Sequence, residues 1–167
     1  ITIGGLITEA WLARHDPGLL AERRTARGQA GWDRVITSIM PLLWLTWLPL
    51  MALDAVRYQT SLVPVWLQCA GAAMIAASFY VVYRTYRENS YAAPVVKIQR
   101  ERGHAAVTTG PYAYVRHPIY ASGLLTYLGT PLLLGSWWGL AIVPVMMALL
   151  GLRSMMEERM LDRKSVV

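Results

Sequence analysis

The chain is built from long apolar runs separated by polar, basic stretches. Val35 to Leu53 and Leu62 to Tyr83 are mostly hydrophobic, and each is about 20 residues long, enough for a helix to cross a bilayer. A third apolar region, Ile119 to Leu152, is interrupted by Gly135-Ser-Trp-Trp-Gly139. We interpret it as a helical hairpin whose two arms, of about 17 residues each, are just long enough to span.

The remaining segments are polar. They are Arg14 to Arg34, Arg84 to Arg116 and the tail Arg153 to Val167. Asp16-Pro17 in the first of them is a good helix start, with Asp as N-cap and Pro at the first position, and predicts a short interfacial helix. Residues 1–11 are apolar, begin without Met, and are expected to end a further inbound helix that starts outside this sequence.

Basic residues predict how the chain is oriented. Of its 16 Lys and Arg residues, 15 fall in the three polar stretches, and only Arg57 lies between the first two spans. The positive-inside rule makes those stretches and the C-terminus cytoplasmic. Because the positive charges follow the span ends, the net charge of +6 does not indicate a nucleic-acid partner. Six tryptophans at or near span ends predict an aromatic belt: Trp32, Trp44, Trp47, Trp66, Trp137 and Trp138.

Composition agrees with this topology. The chain is 55% hydrophobic and 16% charged, which is too apolar for an ordinary soluble domain. We expect residues 1–167 to form a single all-α, polytopic membrane domain, truncated at one or both ends. It would have about four transmembrane helices plus the end of a fifth, the last two forming the hairpin.

Candidate chemistry collects at the end of the second polar stretch, in Gly110-Pro-Tyr-Ala-Tyr-Val-Arg-His-Pro-Ile-Tyr120. Pro118 suits the first turn of a helix, so Arg116 and His117 would sit at a helix N-terminus, which favours an anion. The alternative is that Arg116 is a snorkelling anchor and His117 an ordinary capping residue.

An acidic pair, Glu157-Glu158, follows the hairpin. Such a pair is unfavourable at a helix C-terminus, which hints at a cationic partner for one of them; a solvated helix end is the alternative. His104, His117 and Glu157 lack the spacing of a metal site, and we predict no metal.

The series Gly103-His104, Thr108-Thr-Gly110-Pro-Tyr112, Arg116-His-Pro-Ile-Tyr120 and Glu157-Glu-Arg-Met-Leu161 resembles the signature of the isoprenylcysteine carboxyl methyltransferase family. Members of that family occur in bacteria and are similar to phospholipid N-methyltransferases. The resemblance covers residues 80–161 and includes the intervening hairpin. It implies an integral membrane enzyme, here of a bacterial inner membrane, that uses S-adenosylmethionine to methylate a lipid-like acceptor.

The resemblance also assigns roles to residues. It places Arg116 and Glu158 near the reacting centre as catalytic residues, and Arg116 and Tyr120 against the acceptor. Residues that would border the cofactor are His104, Gly110, Tyr112, His117, Pro118 and Glu157. It leaves open which glutamate contacts the cofactor, the identity of the acceptor and the oligomeric state.

Two departures from the family pattern qualify this interpretation. Ser122 stands where relatives often have glycine or a similar small residue. Relatives usually continue beyond the glutamate motif with a segment that helps to cover the cofactor, whereas this sequence stops at Val167. If the natural protein also stops there, we expect cofactor binding to be weak or to need another chain. Alternatives are a phospholipid amine methyltransferase, a non-catalytic membrane relative, and a sterol-type reductase. The reductase motif has Asn where this chain has Ile119.

Overall fold

The computed structural model describes residues 3–24, 31–89 and 108–165, and every regular element in these ranges is helical. The predicted all-α fold is therefore confirmed for this part of the chain. The elements in order are α1 (Ile3–His15), α2 (Pro17–Arg24), α3 (Gly31–Ala52) with a π-helical segment at Leu53–Tyr58, α4 (Val65–Glu88), a 3₁₀ turn at Gly110–Ala113, α5 (Pro118–Leu133) and α6 (Trp137–Ser165).

Three helical stretches among the described residues are long and apolar enough to cross a membrane: Gly31–Tyr58, Val65–Glu88 and Trp137–Met160. The hairpin is present, with its tip at residues 134–136. Its first arm, α5, has 16 residues, which is about 24 Å of helix and shorter than the roughly 30 Å hydrocarbon core. The predicted fourth span and the further N-terminal span therefore stay predictions.

Helix ends differ from the apolar boundaries in the sequence. α4 runs on to Glu88 and α6 through the basic tail to Ser165, because charged residues such as Arg and Glu are good helix formers. α2 begins at Pro17 as predicted, and Leu20 N–H donates to the Asp16 carbonyl over 3.1 Å. α3, α5 and α6 all continue through internal prolines, as membrane helices can.

α4 and α5 make the most extensive helix contact, and glycines make it close. A Cβ added to Gly71 would lie 2.5 Å from the Leu133 nitrogen and 2.6 Å from the Gly129 carbonyl oxygen. Small residues of this kind let membrane helices approach each other backbone to backbone. α6 packs on α5 and α3 packs on α6, so the bundle order is α4, α5, α6, α3.

The core lies between α3, α5 and α6. Its buried members are Trp47, Met51, Tyr127, Val143 and Met146. Trp47 is fully buried, and its indole Nε1–H donates to the Gly139 carbonyl over 2.7 Å. The predicted belt position is therefore wrong for Trp47, because its helix face turns toward α6 and the indole N–H finds a protein partner there.

A buried carboxylate holds the hairpin tip against the end of the first span. Asp54 accepts hydrogen bonds from the hydroxyls of Thr60, Ser61 and Ser136. Ser136 in turn accepts from Gly139 N–H over 3.1 Å, which caps the start of α6,. This end of the bundle is thus fixed by a satisfied polar network, and the remaining polar side chains described below lie at the other end.

Candidate active site

The open end of the hairpin brings two predicted motifs into contact. His117 Nε2 lies 3.1 Å from Glu158 Oε1, and the Tyr120 hydroxyl donates to Glu157 Oε2 over 2.7 Å. Pro118 is buried at the first position of α5, where its fixed φ starts the helix and leaves His117 just before it. Because α5 and α6 are antiparallel arms, residues 37 to 41 positions apart in sequence meet here.

The rings at this end pack together. His117 and Tyr120 stack with centroids 5.3 Å apart and planes 25° from parallel. The Arg153 guanidinium carbon lies 5.7 Å from the Tyr120 centroid, within the range of a cation–π contact,. Arg153 Nε also donates to Asp33 Oδ1 over 2.7 Å, and the Asp33 side chain is fully buried. The first turn of α3 is thereby tied to the site.

The turn before α5 is held against the end of α4. Asn89 Nδ2 donates to the Tyr112 hydroxyl over 2.8 Å, and Thr109 Oγ1 donates to Glu88 Oε2 over 3.0 Å. Gly110 has φ of 60°, and a Cβ there would lie 2.6 Å from Glu88 Cγ. The left-handed backbone and the close approach of the Glu88 side chain both favour glycine here.

Tyr112 connects this turn electrostatically to the acidic pair. Burial raises the pKa of the Tyr112 phenol, and the nearby Tyr86 and Glu157 raise it further. The hydrogen bond from Asn89 acts in the opposite direction and lowers this pKa. The phenol therefore stays protonated around neutral pH.

The predicted site residues thus fall into three groups. His117, Tyr120, Glu157 and Glu158 are in direct contact, while Gly110, Tyr112 and Pro118 shape the turn that leads to them. Arg116 is exposed and has no hydrogen bond or ion pair with the described residues. His104 lies outside the described ranges. Within those ranges no three His, Cys, Asp or Glu side chains group as metal ligands.

Sequence reasoning missed the α3 and α4 contributions to this end. Asp33 and Arg153 are 120 positions apart, and neither belongs to a recognised motif. One signal was available: Asp33 is the one acidic residue at the start of an apolar helix, and a carboxylate in such a place needs a partner. Glu88 and Asn89 were hidden because the predicted helix ended before them.

Two comparisons with known proteins find methyltransferases. Over 43 residues, 26% of this chain, the sequence is 46% identical to the protein-S-isoprenylcysteine O-methyltransferase of Schizosaccharomyces pombe, and the matched region covers 18% of that relative's length. No solved structure matches the chain. The sequence profile of the phospholipid methyltransferase family matches residues 66–164, a range that begins in α4 and includes the turn, the hairpin and the acidic pair. Since this match takes in more than half of the 167 residues, the chain belongs to the phospholipid methyltransferase family.

Proposed function

We propose that this chain catalyses methyl transfer from S-adenosylmethionine to the carboxylate of an isoprenylcysteine-like lipid in the membrane. The observation that carries the proposal is the meeting of His117 and Tyr120 with Glu158 and Glu157 at the open end of the hairpin. The two motifs are far apart in sequence, and their contact builds a polar site at the edge of apolar helices. A site of that kind suits a ligand with a charged head and an acceptor with a lipid tail.

The polar groups of the site fit the amino-acid part of the cofactor. Tyr120 donates to Glu157 Oε2, and among the described residues no donor reaches Oε1. That oxygen is therefore available to an ammonium group. The first N–H groups of α5, next to His117, favour a carboxylate. Glu157, His117 and Pro118 would thus hold the cofactor, with Gly110, Tyr112 and His104 bordering it.

The bound cofactor supplies an electrophilic methyl group on a sulfonium centre. A carboxylate acceptor is already a nucleophile, so the protein has to align it and exclude water rather than remove a proton. Arg116 is exposed one residue before His117, where its guanidinium can bind the acceptor carboxylate with two parallel hydrogen bonds. Tyr120 and Glu158 would border the acceptor at the reacting centre.

The second candidate is methyl transfer to a phospholipid amine. An amine must lose a proton during the reaction, which calls for a general base. The contact between His117 and Glu158 offers one, because the carboxylate can orient the imidazole and stabilise its charged form. The family to which the chain belongs favours this candidate too, whereas the short similarity to the yeast enzyme favours the carboxylate.

Product chemistry separates the two candidates. The protein, reconstituted in lipid nanodiscs with cofactor labelled in the methyl group, is given either a soluble S-prenylcysteine analogue or phosphatidylethanolamine. We expect label in the prenylcysteine product, released as volatile methanol by mild alkali because the bond formed is an ester. Alkali-stable label in the phospholipid would instead establish the amine acceptor. No transfer to either acceptor, by protein that binds the cofactor, would refute both.

A further inference from the structure

Arg153 and Glu157 are placed to pair with each other, yet each has a different partner. They lie four residues apart on α6, one turn along the same face, where opposite charges ordinarily attract. Arg153 Nε instead donates to Asp33 Oδ1 over 2.7 Å, and Glu157 accepts from Tyr120 over 2.7 Å. Asp33 reaches Arg153 from α3, a different helix of the bundle.

The two possible partners of Arg153 are unequal. Asp33 is fully buried and the Arg153 side chain is 14% exposed, so separating this pair would remove the attraction between two largely buried charges. The pair with Glu157 would have the basic residue N-terminal to the acidic one, which is the less favourable order along a helix. Asp33 therefore wins the competition for Arg153.

We propose that Asp33 is a positioning residue that diverts Arg153 from Glu157 and so keeps the Glu157 carboxylate available to a cationic ligand. The identification of this ligand as the ammonium group of S-adenosylmethionine rests on the proposed function. Without Asp33, Arg153, four residues before Glu157 on α6, would compete with the ligand for Oε1. Asp33 acts at a distance, through Arg153, and need not touch the ligand.

Cofactor titration by calorimetry tests this with two single variants and their combination. Asp33→Asn frees Arg153 to pair with Glu157 and should weaken cofactor affinity about fivefold, the effect of an ordinary competing ion pair. Arg153→Met removes the competitor and should keep the affinity within about twofold of wild type. The double variant should regain what Asp33→Asn loses. Arg159→Met, which removes an exposed charge from the same helix, is the matched control.

A purely structural ion pair predicts a different pattern. In that case Arg153→Met and Asp33→Asn would weaken binding alike, and this outcome overturns the inference, as does unchanged affinity in Asp33→Asn. Each single variant breaks a buried ion pair, so its thermal unfolding is measured first. The double variant removes both charges and should unfold near the wild-type temperature.

A measurement without cofactor keeps the inference separate from the proposed function. In protein with ¹⁵N-labelled arginine, the Arg153 Nε–H resonance is identified by its loss in Arg153→Met. Glu157→Gln should leave that resonance unchanged in the wild-type background and shift it in the Asp33→Asn background. A shift in the wild-type background overturns the inference even if Asp33→Asn fails to fold. Absence of cofactor binding by wild-type protein would contradict the proposed function, and the resonance would still decide the role of Asp33.

Discussion

Tyr120 uses its ring and its hydroxyl for different contacts. The ring lies against His117 and beneath the Arg153 guanidinium, while the hydroxyl donates to Glu157. A change that removes one atom can therefore separate packing from hydrogen bonding. Because Glu157 is the residue assigned to the ammonium of the cofactor, the hydroxyl is expected to matter for the orientation of that carboxylate.

Tyr120→Phe should weaken cofactor binding with little change in folding. The loss of one hydrogen bond to a charged group corresponds to about 1.5–3 kcal/mol, or roughly 10- to 150-fold in affinity. Calorimetry in detergent measures it. Tyr114→Phe is the control, since Tyr114 is 90% exposed in the same region and its hydroxyl should be dispensable. Equal effects of the two substitutions would show that Tyr120 does not orient Glu157.

Arg116 and Glu157 are predicted to act on different ligands, and conservative substitutions can separate them. Arg116→Lys keeps the charge but loses the planar fork, so turnover should fall by about 2–4 kcal/mol of transition-state stabilisation, roughly 30- to 1000-fold. Cofactor affinity should hardly change. Glu157→Gln should weaken cofactor binding instead. Arg159→Lys on an exposed position of α6 is the control.

Steady-state kinetics and calorimetry on the same preparations read out both effects. If Arg116→Lys and Glu157→Gln lose cofactor affinity equally, Arg116 belongs with the cofactor. The carboxylate acceptor then loses its main support, and the phospholipid amine becomes the better proposal.

Sequence motifs selected residues that lie close together in the structure, while their roles stay predictions. His117, Tyr120, Glu157 and Glu158 stood out by type and spacing, and the structure brings all four together. The sequence did not predict which glutamate would contact His117 and which would contact Tyr120, because the pairing depends on how α6 is rotated against α5. Asp33 and Arg153 were not predictable as a pair, since their contact exists only once α3 has packed on α6.

At the level of elements, glycines set the distance between α4 and α5. Gly71 faces the Leu133 nitrogen and the Gly129 carbonyl oxygen, with no room for a methyl group. The sequence predicted both helices but not this contact, because periodicity alone does not tell which glycine of an apolar helix faces a neighbour. Helix ends were likewise misplaced in α4, where hydropathy falls at Arg84 while the helix continues to Glu88.

Gly71→Ala should lower the stability of the bundle by about 1–3 kcal/mol, since the added methyl meets backbone atoms that cannot turn aside. Thermal unfolding in detergent measures the effect. Gly151→Ala is the matched control, because a Cβ there meets nothing within 4 Å and an exposed helical alanine should raise stability by about 0.5–1 kcal/mol. Equal unfolding temperatures for the two variants would argue against a close α4–α5 contact.

On the scale of the whole molecule, polar groups are gathered at two opposite ends of an apolar bundle. The Asp54 network fixes the hairpin tip, and the start of α3, the end of α4, the start of α5 and the last part of α6 meet at the candidate site. That arrangement is what alternating spans produce. It agrees with the distribution of basic residues along the sequence, where 15 of 16 fall in the three polar stretches.

We predict that the site faces the cytoplasm, because the positive-inside rule places Lys-rich and Arg-rich loops there. Cysteines at two exposed positions test this: Leu62, 87% exposed between the first two spans, and Thr108, just before the site. The background is Cys69→Ala, since the native cysteine is itself exposed. A membrane-impermeant maleimide should label Leu62→Cys in intact cells and Thr108→Cys only after permeabilisation. Labelling of Thr108→Cys in intact cells would put the site on the outer face and contradict this prediction.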